Sequence, residues 1–244
     1  MACAWVVIGV LSSAHNAVHA EPPWVADEIF LQMAELRKEI KQLQDKVSGL
    51  ERQLGARPSQ LVPIPLAGSD NMALGKRKAS IAIVEFSDYE CPYCAKHYRE
   101  VLPKLRGRYI DKGLVRYVMM DFPLGFHAHA EKASLSARCA GGQGQYWAMH
   151  DAIFGAHGQM TDALADTVVG QKKMDAATFK CCLEDPKQRE AIRRDMVLGA
   201  SIGINGTPAF LIGTVKGNRL TDYKLLSGVQ PFEAFASIID RLNH

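Results

Sequence analysis

Apolar residues recur near the start of the chain at Ile29, Met33, Leu36, Ile40, Leu43, Val47, Leu50 and Leu54, in steps that alternate four and three. A period of 3.5 held over that length is the seam of a coiled coil; a helix laid on its own domain shows a wider stripe at 3.6. With Met33, Ile40, Val47 and Leu54 at a, the d positions are Ile29, Leu36, Leu43 and Leu50. In a parallel pair, Lys46 at g faces Glu51 at e of the partner. The pattern predicts a self-associating helix over 21–55. Ile and Val at a with Leu at d favour a dimer, and Met33 and Leu54 leave a trimer open. The following GARPSQLVPIPLAGSD, rich in proline and glycine, reads as a semi-rigid linker over 56–74.

Past the linker the pattern changes. Ile81 to Phe86 and Ala209 to Ile212 are short apolar runs of strand character. Phe122 to Ile202 between them is rich in helix formers, with AEKASLSARCAGG and AATFKCCLED as two helical stretches. Tyr146, Trp147, Ile153 and Phe154 read as core of that region. At the other end of the chain, AWVVIGVL (4–11) is followed by small and polar residues closing on Val18-His19-Ala20. This resembles a secretory signal over 1–20, cleaved after Ala20, although no Lys or Arg precedes Arg37 to supply the usual positive start. The run is too short to span a bilayer. Export removes Cys3 and leaves five cysteines in an oxidising compartment.

The 244 residues are 48% hydrophobic and 23% charged with a net charge of +3, which excludes a disordered chain and a multi-span membrane protein. So small a positive excess gives no reason to expect nucleic acid or anionic lipid as a partner. Six cysteines are too few for a disulfide-built miniprotein. Their placement carries more than their number.

Ile81–Phe86 leads through Ser87-Asp88-Tyr89-Glu90 into Cys91-Pro92-Tyr93-Cys94, then a helix-like stretch to about Lys112. In strand, C-x-x-C, helix order, the unpaired amides of the helix N-terminus favour a thiolate at the first cysteine. Pro92 suits the first turn, where a missing N–H costs nothing. Cys91 is therefore expected to be the nucleophile, and Cys94, one turn inside, the resolving thiol. Half of a zinc site is the rival, but the chain has no second C-x-x-C, and Cys181-Cys182 and His127-Ala128-His129 fit no zinc spacing. No metal or cofactor is expected. Downstream, Gly206-Thr207-Pro208 opens the second strand-like run, and an X-Pro bond there is a plausible cis site. Asn205-Gly206-Thr207 also fits a glycosylation sequon, but the stretch reads better as this loop.

With these residues the chain resembles the thioredoxin superfamily, and within it the exported DsbA-like thiol-disulfide oxidoreductases. The resemblance rests on VEFSDYECPYC (84–94), the following helix with Pro103, GTPAF (206–210) and the closing helix from Pro231, and spans about Gly75 to Leu242. It implies an α/β thioredoxin fold over 75–244 with an inserted helical domain at about 122–202. It further implies that Cys91 is the exposed attacking cysteine and Cys94 its partner. Pro208 matches the cis-proline facing the disulfide, Thr207 the residue that binds substrate backbone, and Glu85 a buried acid that tunes proton transfer. Pro92 and Tyr93 tune the centre. Some members pair cysteines in the insertion, which points to Cys139 with Cys182, Cys181 competing, and leaves the odd one as a free, buried thiol. His97, one turn after Cys94, is expected on a solvated helix face, with an electrostatic effect on the thiols as the alternative, and His150 and His157 at surface or helix-end positions.

Within the family, Pro-Tyr between the cysteines and Thr before the cis-proline look more like the oligomeric isomerase members, DsbG-like and ScsC-like. The helical arm differs from the β-rich dimerisation domain of DsbG-like proteins, so the likeness is closer to ScsC-like and dimeric DsbA-like types. The resemblance implies a periplasmic homodimer or homotrimer acting on unfolded or misfolded exported proteins. Its redox partner would be a membrane protein, a DsbD-like reductase for an isomerase or a DsbB-like oxidase for a dithiol oxidase. A non-enzymatic thioredoxin-fold scaffold or chaperone is the rival from another class; a glutaredoxin-like cytosolic reductase is undercut by the signal-like start and the large insertion.

Overall fold

The computed structural model describes residues 32–46, 62–66 and 70–243, and the chain divides into two units, 1–60 and 61–244. The signal expected over 1–20 lies outside the described residues, as do the remainder of the helix expected over 21–55 and the first part of the linker. In the first unit one helix, α1, covers 32–46. Its a and d side chains Met33, Leu36, Ile40 and Leu43 are between 48% and 60% exposed, an apolar seam without a covering element among the described residues.

The second unit is built on a six-stranded sheet in the order β1-β6-β5-β3-β4-β2. Its centre is β3 (Ile81–Ser87), parallel to β4 (Val115–Asp121) and antiparallel to β5 (Ala209–Lys216), with β6 (Arg219–Ser227) beyond. Every residue of β3 and β4 is buried, as expected of central strands covered on both faces, whose sequences read as continuous apolar runs. Alternation divides them between two cores. Ile81, Ile83, Tyr117, Met119, Phe210 and Ile212 face one layer. Ala82, Val84, Phe86, Val118, Met120 and Leu211 face the other.

The edge strands are β1 (Ile64–Pro65), paired with β6, and β2 (Ala73–Leu74), paired with β4. Both were expected within a linker over 56–74. The prolines that suggested a linker are compatible with a short edge strand, where missing N–H donors are tolerated, and Ile64 and Leu66 anchor it by complete burial.

Helix α2 (Pro92–Glu100) follows β3, and Pro103 in α3 (Leu102–Leu105) precedes a π turn at Arg106–Ile110. Between β4 and β5 lie α4 (Ala130–Gly141), α5 (Tyr146–Gly155), α6 (Asp162–Gln171), α7 (Ala176–Glu184) and α8 (Pro186–Ser201); α9 (Phe232–Leu242) closes the chain. The first layer holds Leu102 of α3, Ala133 of α4, Ile153 of α5, Val168 of α6, Phe179 of α7 and Phe235 of α9, while Met196 and Leu198 of α8 pack in the second. Gly158, at φ +81°, lets the chain after α5 press on the segment before Cys91: a Cβ there would sit 2.3 Å from the Tyr89 carbonyl oxygen.

A disulfide joins Cys139 of α4 to Cys182 of α7, with Cα atoms 5.6 Å apart. Cys181 is free and exposed rather than buried. Adjacent residues on a helix point about 100° apart, and the inward direction of α7 is taken by Phe179 and the bonded Cys182. His150, expected at a surface position, is also buried, between the rings of Tyr98, Trp147 and Phe154. It belongs to the inward stripe Tyr146, Met149, His150, Ile153 and Phe154 of α5 at helical spacing, and burial lowers its pKa.

The disulfide closes a span of 43 residues, which on the chain-entropy picture is worth about 4 kcal/mol. Replacing Cys139 and Cys182 together by Ala is expected to lower the unfolding free energy by up to that amount in urea titration, with the thiolate titration of Cys91 unchanged.

Candidate active site

The site forms where β3 ends. Asp88, fully buried, accepts hydrogen bonds from the backbone N–H groups of Glu90 (2.8 Å) and Leu124 (2.7 Å) and meets His127 Nδ1 at 2.8 Å. It thus turns the chain after the strand and ties the 122–129 loop to it. Cys91 is the N-cap of α2 with Pro92 behind it. The Thr207–Pro208 bond is cis, and the Cys91 thiol donates to the Thr207 carbonyl oxygen at 3.3 Å, across 116 residues of sequence. Both thiols of the centre are free.

Cys94 is fully buried and Cys91 only 4% exposed. Cys91, expected to be the exposed cysteine of the pair, is thus more covered than expected, because its N-cap position lies directly against the cis-proline loop. Its pKa is nevertheless pulled from 9.0 to about 5. Hydrogen bonding from the Cys94 thiol is the largest cause; burial opposes it, and the Thr207 hydroxyl and the amides of Cys94 and Tyr93 add to the lowering. That hydroxyl is buried without a partner to the neutral thiol, so the thiolate is the state that satisfies it. Cys94 is pushed well above 9.0, first by burial, then by Cys91 and by Glu85. The two thiols therefore differ in ionisation by position alone.

Glu85 lies in β3, buried, opposite Met119 on one side and Phe210 on the other. Burial raises it from 4.5 to about 7, against the hydrogen bond from Tyr117 and the nearby Ser87 hydroxyl, while the nearby Cys91 raises it further. A carboxyl that changes protonation near neutrality, coupled to both thiols, can hold or release the proton of Cys94.

Of the site residues expected from sequence, Cys91, Pro92, Cys94, Glu85, Thr207 and Pro208 come together here; Tyr93 contributes its amide, and its side chain is 63% exposed. Cys139 and Cys182 lie in the helical insertion instead. His97 is not solvated. It is fully buried, with Phe210 and Phe235 packed around it, because the inward stripe of α2 runs Cys94, Ala95 and His97. That stripe was a readable signal. Tyr117, whose hydroxyl donates to Glu85, carried none: a tyrosine in an apolar strand gives no hint of a carboxylate 32 residues away. Among the described residues no group of three or more His, Cys, Asp or Glu side chains could hold a metal ion.

A thioredoxin family model matches residues 68–240. The chain belongs to the thioredoxin family. It is DsbA-like. The crystal structure of α-DsbA1 from Wolbachia pipientis superposes with a TM-score of 0.64 at 25% identity, covering 74% of this chain and 93% of that one. A probable disulfide bond formation protein D from Bacillus anthracis is 30% identical over 154 residues, 60% of this chain and 71% of that protein. The Na+/H+ antiporter NhaA 3 of Salinispora tropica is 28% identical over 175 residues, but the chain spans only 26% of its length. No helix among the described residues is long and apolar enough to cross a membrane.

Two outcomes follow for this thioredoxin-family centre. Thiolate absorbance at 240 nm in the reduced protein is expected to rise with an inflection near pH 5 and to be lost in Cys91→Ser. Because the Cys91 pKa is depressed from 9.0 to about 5, the stability it adds to the reduced form is complete above about pH 9 and vanishes as pH falls through about 5. Glu85 has the opposite sign. Its pKa is raised from 4.5 to about 7, so the folded state loses stability as pH climbs between those values, by up to about 3 kcal/mol. In urea titrations of the oxidised protein, Glu85→Gln is expected to abolish that loss.

Proposed function

We propose that the protein is an exported, self-associating thiol-disulfide oxidoreductase that acts on protein disulfides through Cys91-Pro92-Tyr93-Cys94, working as a disulfide isomerase. The observation that carries the oxidoreductase reading, common to isomerase and oxidase, is a Cys91 thiol lowered to about 5 beside a buried Cys94 and a cis Thr207–Pro208 bond; the choice of isomerase rests on Thr207, Tyr93 and the heptads. The Cys91 thiolate attacks a wrong disulfide in a client and forms a mixed disulfide, releasing one client thiolate. A second client thiolate then attacks the client sulfur of the mixed disulfide and frees Cys91 as a thiolate, or Cys94, after giving its proton to Glu85, attacks the Cys91 sulfur and frees the client as a thiolate. Thr207, at the mouth of the centre, supplies backbone groups for an extended client segment. Tyr93 and Phe126 are 63% and 79% exposed, and the Phe126 loop is bound to the segment before Cys91 through Asp88. Exposed aromatic side chains at the rim suit a protein client.

The exposed seam of α1 supports self-association, as dimer or trimer. Two or more centres joined through such arms act on one misfolded client at raised effective concentration. In this reading residues 1–20 direct export to the periplasm, and a DsbD-like membrane reductase keeps Cys91 and Cys94 reduced. The low Cys91 pKa favours a second reading, a dithiol oxidase: stabilising the thiolate stabilises the reduced centre and makes its disulfide more oxidising. The name of the Bacillus anthracis relative, a probable disulfide bond formation protein, points the same way. A DsbB-like membrane partner would then regenerate the disulfide. A non-enzymatic scaffold has no need of a thiol lowered to about 5.

Acid trapping followed by thiol alkylation in cells is expected to find Cys91 and Cys94 mostly reduced, and deletion of 21–60 to remove refolding of scrambled ribonuclease while dithiol oxidation persists. A mostly oxidised centre in cells would establish the oxidase reading instead.

A further inference from the structure

His97 stands one turn beyond Cys94 in a pocket without charge. Its ring centroid is 4.4 Å from that of Phe210 in β5 and 5.4 Å from that of Phe235 in α9. Burial lowers its pKa to about 3, so the ring is neutral under working conditions, with one nitrogen a donor and the other an acceptor. Nε2 lies 3.0 Å from Tyr117 Oη, and Nδ1 has no hydrogen-bond partner. Tyr117 donates its one proton to Glu85. That phenol is itself held protonated, since burial and Glu85 push its pKa far up. With its proton committed to the carboxylate, Tyr117 Oη can only accept from the histidine, which places the imidazole hydrogen on Nε2. The chain of donors runs from His97 to Tyr117 to Glu85 and ends at the group coupled to both thiols.

We propose that His97 is a positioning residue of the redox centre: as the Nε2–H tautomer it holds the Tyr117 hydroxyl proton on Glu85 and keeps that buried carboxylate ready to take the proton of Cys94. This rests on the oxidoreductase reading above. In the step served, Cys91 is in a mixed disulfide with the client. The Cys94 proton passes to Glu85, the Cys94 sulfur bonds to the Cys91 sulfur, the bond from Cys91 to the client breaks, and the client leaves as a thiolate. Atoms and electrons balance within the protein and its client.

The groups that act on Glu85 are Tyr117 from β4, Ser87 from β3 itself, and Cys91 at the start of α2. Cys94 interacts with it from within α2, and Tyr89 and Tyr146 from farther away. Phe210 of β5 and Phe235 of α9 bring no charge. None of these groups is a cation, so hydrogen-bond donation is what offsets burial of the carboxylate, and the direction of the Tyr117 hydroxyl decides how much of it Glu85 receives.

The test follows release of client thiol from a preformed Cys91 mixed disulfide between pH 5 and 9, in the full-length protein. Wild type is expected to inflect near 7. His97→Leu should move the inflection up by about one unit, slowing release about tenfold on the acid side. His97→Gln, which keeps a donor, should move it back, with the 240 nm titration of Cys91 in the reduced protein alike in all three. Equal profiles for wild type and His97→Leu, or no recovery with His97→Gln, would overturn the proposal. A measurement independent of folding of the variants is the histidine tautomer in the wild type by ¹⁵N NMR at pH 8: Nε2–H supports the proposal and Nδ1–H overturns it. A wild type that releases no client at any pH overturns the oxidoreductase reading instead, and the tautomer still decides the donor chain.

Discussion

Cys91 and Thr207 are 116 residues apart in the chain and 3.3 Å apart in space, and much of the fold serves to keep them so. Cys91 follows the end of β3 and Thr207 precedes the start of β5, strands paired antiparallel in a register that runs from Ile81↔Thr214 to Phe86↔Ala209. A slip of one residue would turn every side chain of β3 to the opposite layer and take Glu85 away from the thiols. The complete burial of β3 forbids such a slip, since both faces are matched to separate cores.

Within that frame, burial acts with opposite effect on neighbouring groups. It raises Cys94 and Glu85, because an apolar layer penalises charge. Cys91 escapes because the Cys94 thiol, the Thr207 hydroxyl and the amides of the first turn of α2 all favour its thiolate. The reactivity of the centre is a difference between two sulfurs one helical turn apart, created by which of them meets donors.

The helical insertion supports the centre without supplying a reacting atom. Asp88 ties the 122–129 loop to the turn before Cys91, and Gly158 brings the end of α5 against Tyr89 and Glu90. The Cys139–Cys182 disulfide holds α4 to α7 within the insertion.

The linear order of residues determined the family and which residues meet at the centre. Cys-Pro-Tyr-Cys after a strand, Thr-Pro before another, and a helix-rich stretch between them are local patterns, and their resemblance to the thioredoxin superfamily gives them their meaning together. Those patterns also placed Glu85, six residues before Cys91, on the strand that feeds the site. Only the tertiary structure decided what surrounds these groups. Residues 64–65 and 73–74 became edge strands because distant β6 and β4 offered partners. His97 and His150 became buried because aromatic residues from other elements closed over them. Tyr117 met Glu85 through the pairing of β3 with β4. Periodicity reports which face of an element turns inward, but the partner on that face comes from elsewhere in the chain, and the ionisation of a buried group depends on the partner.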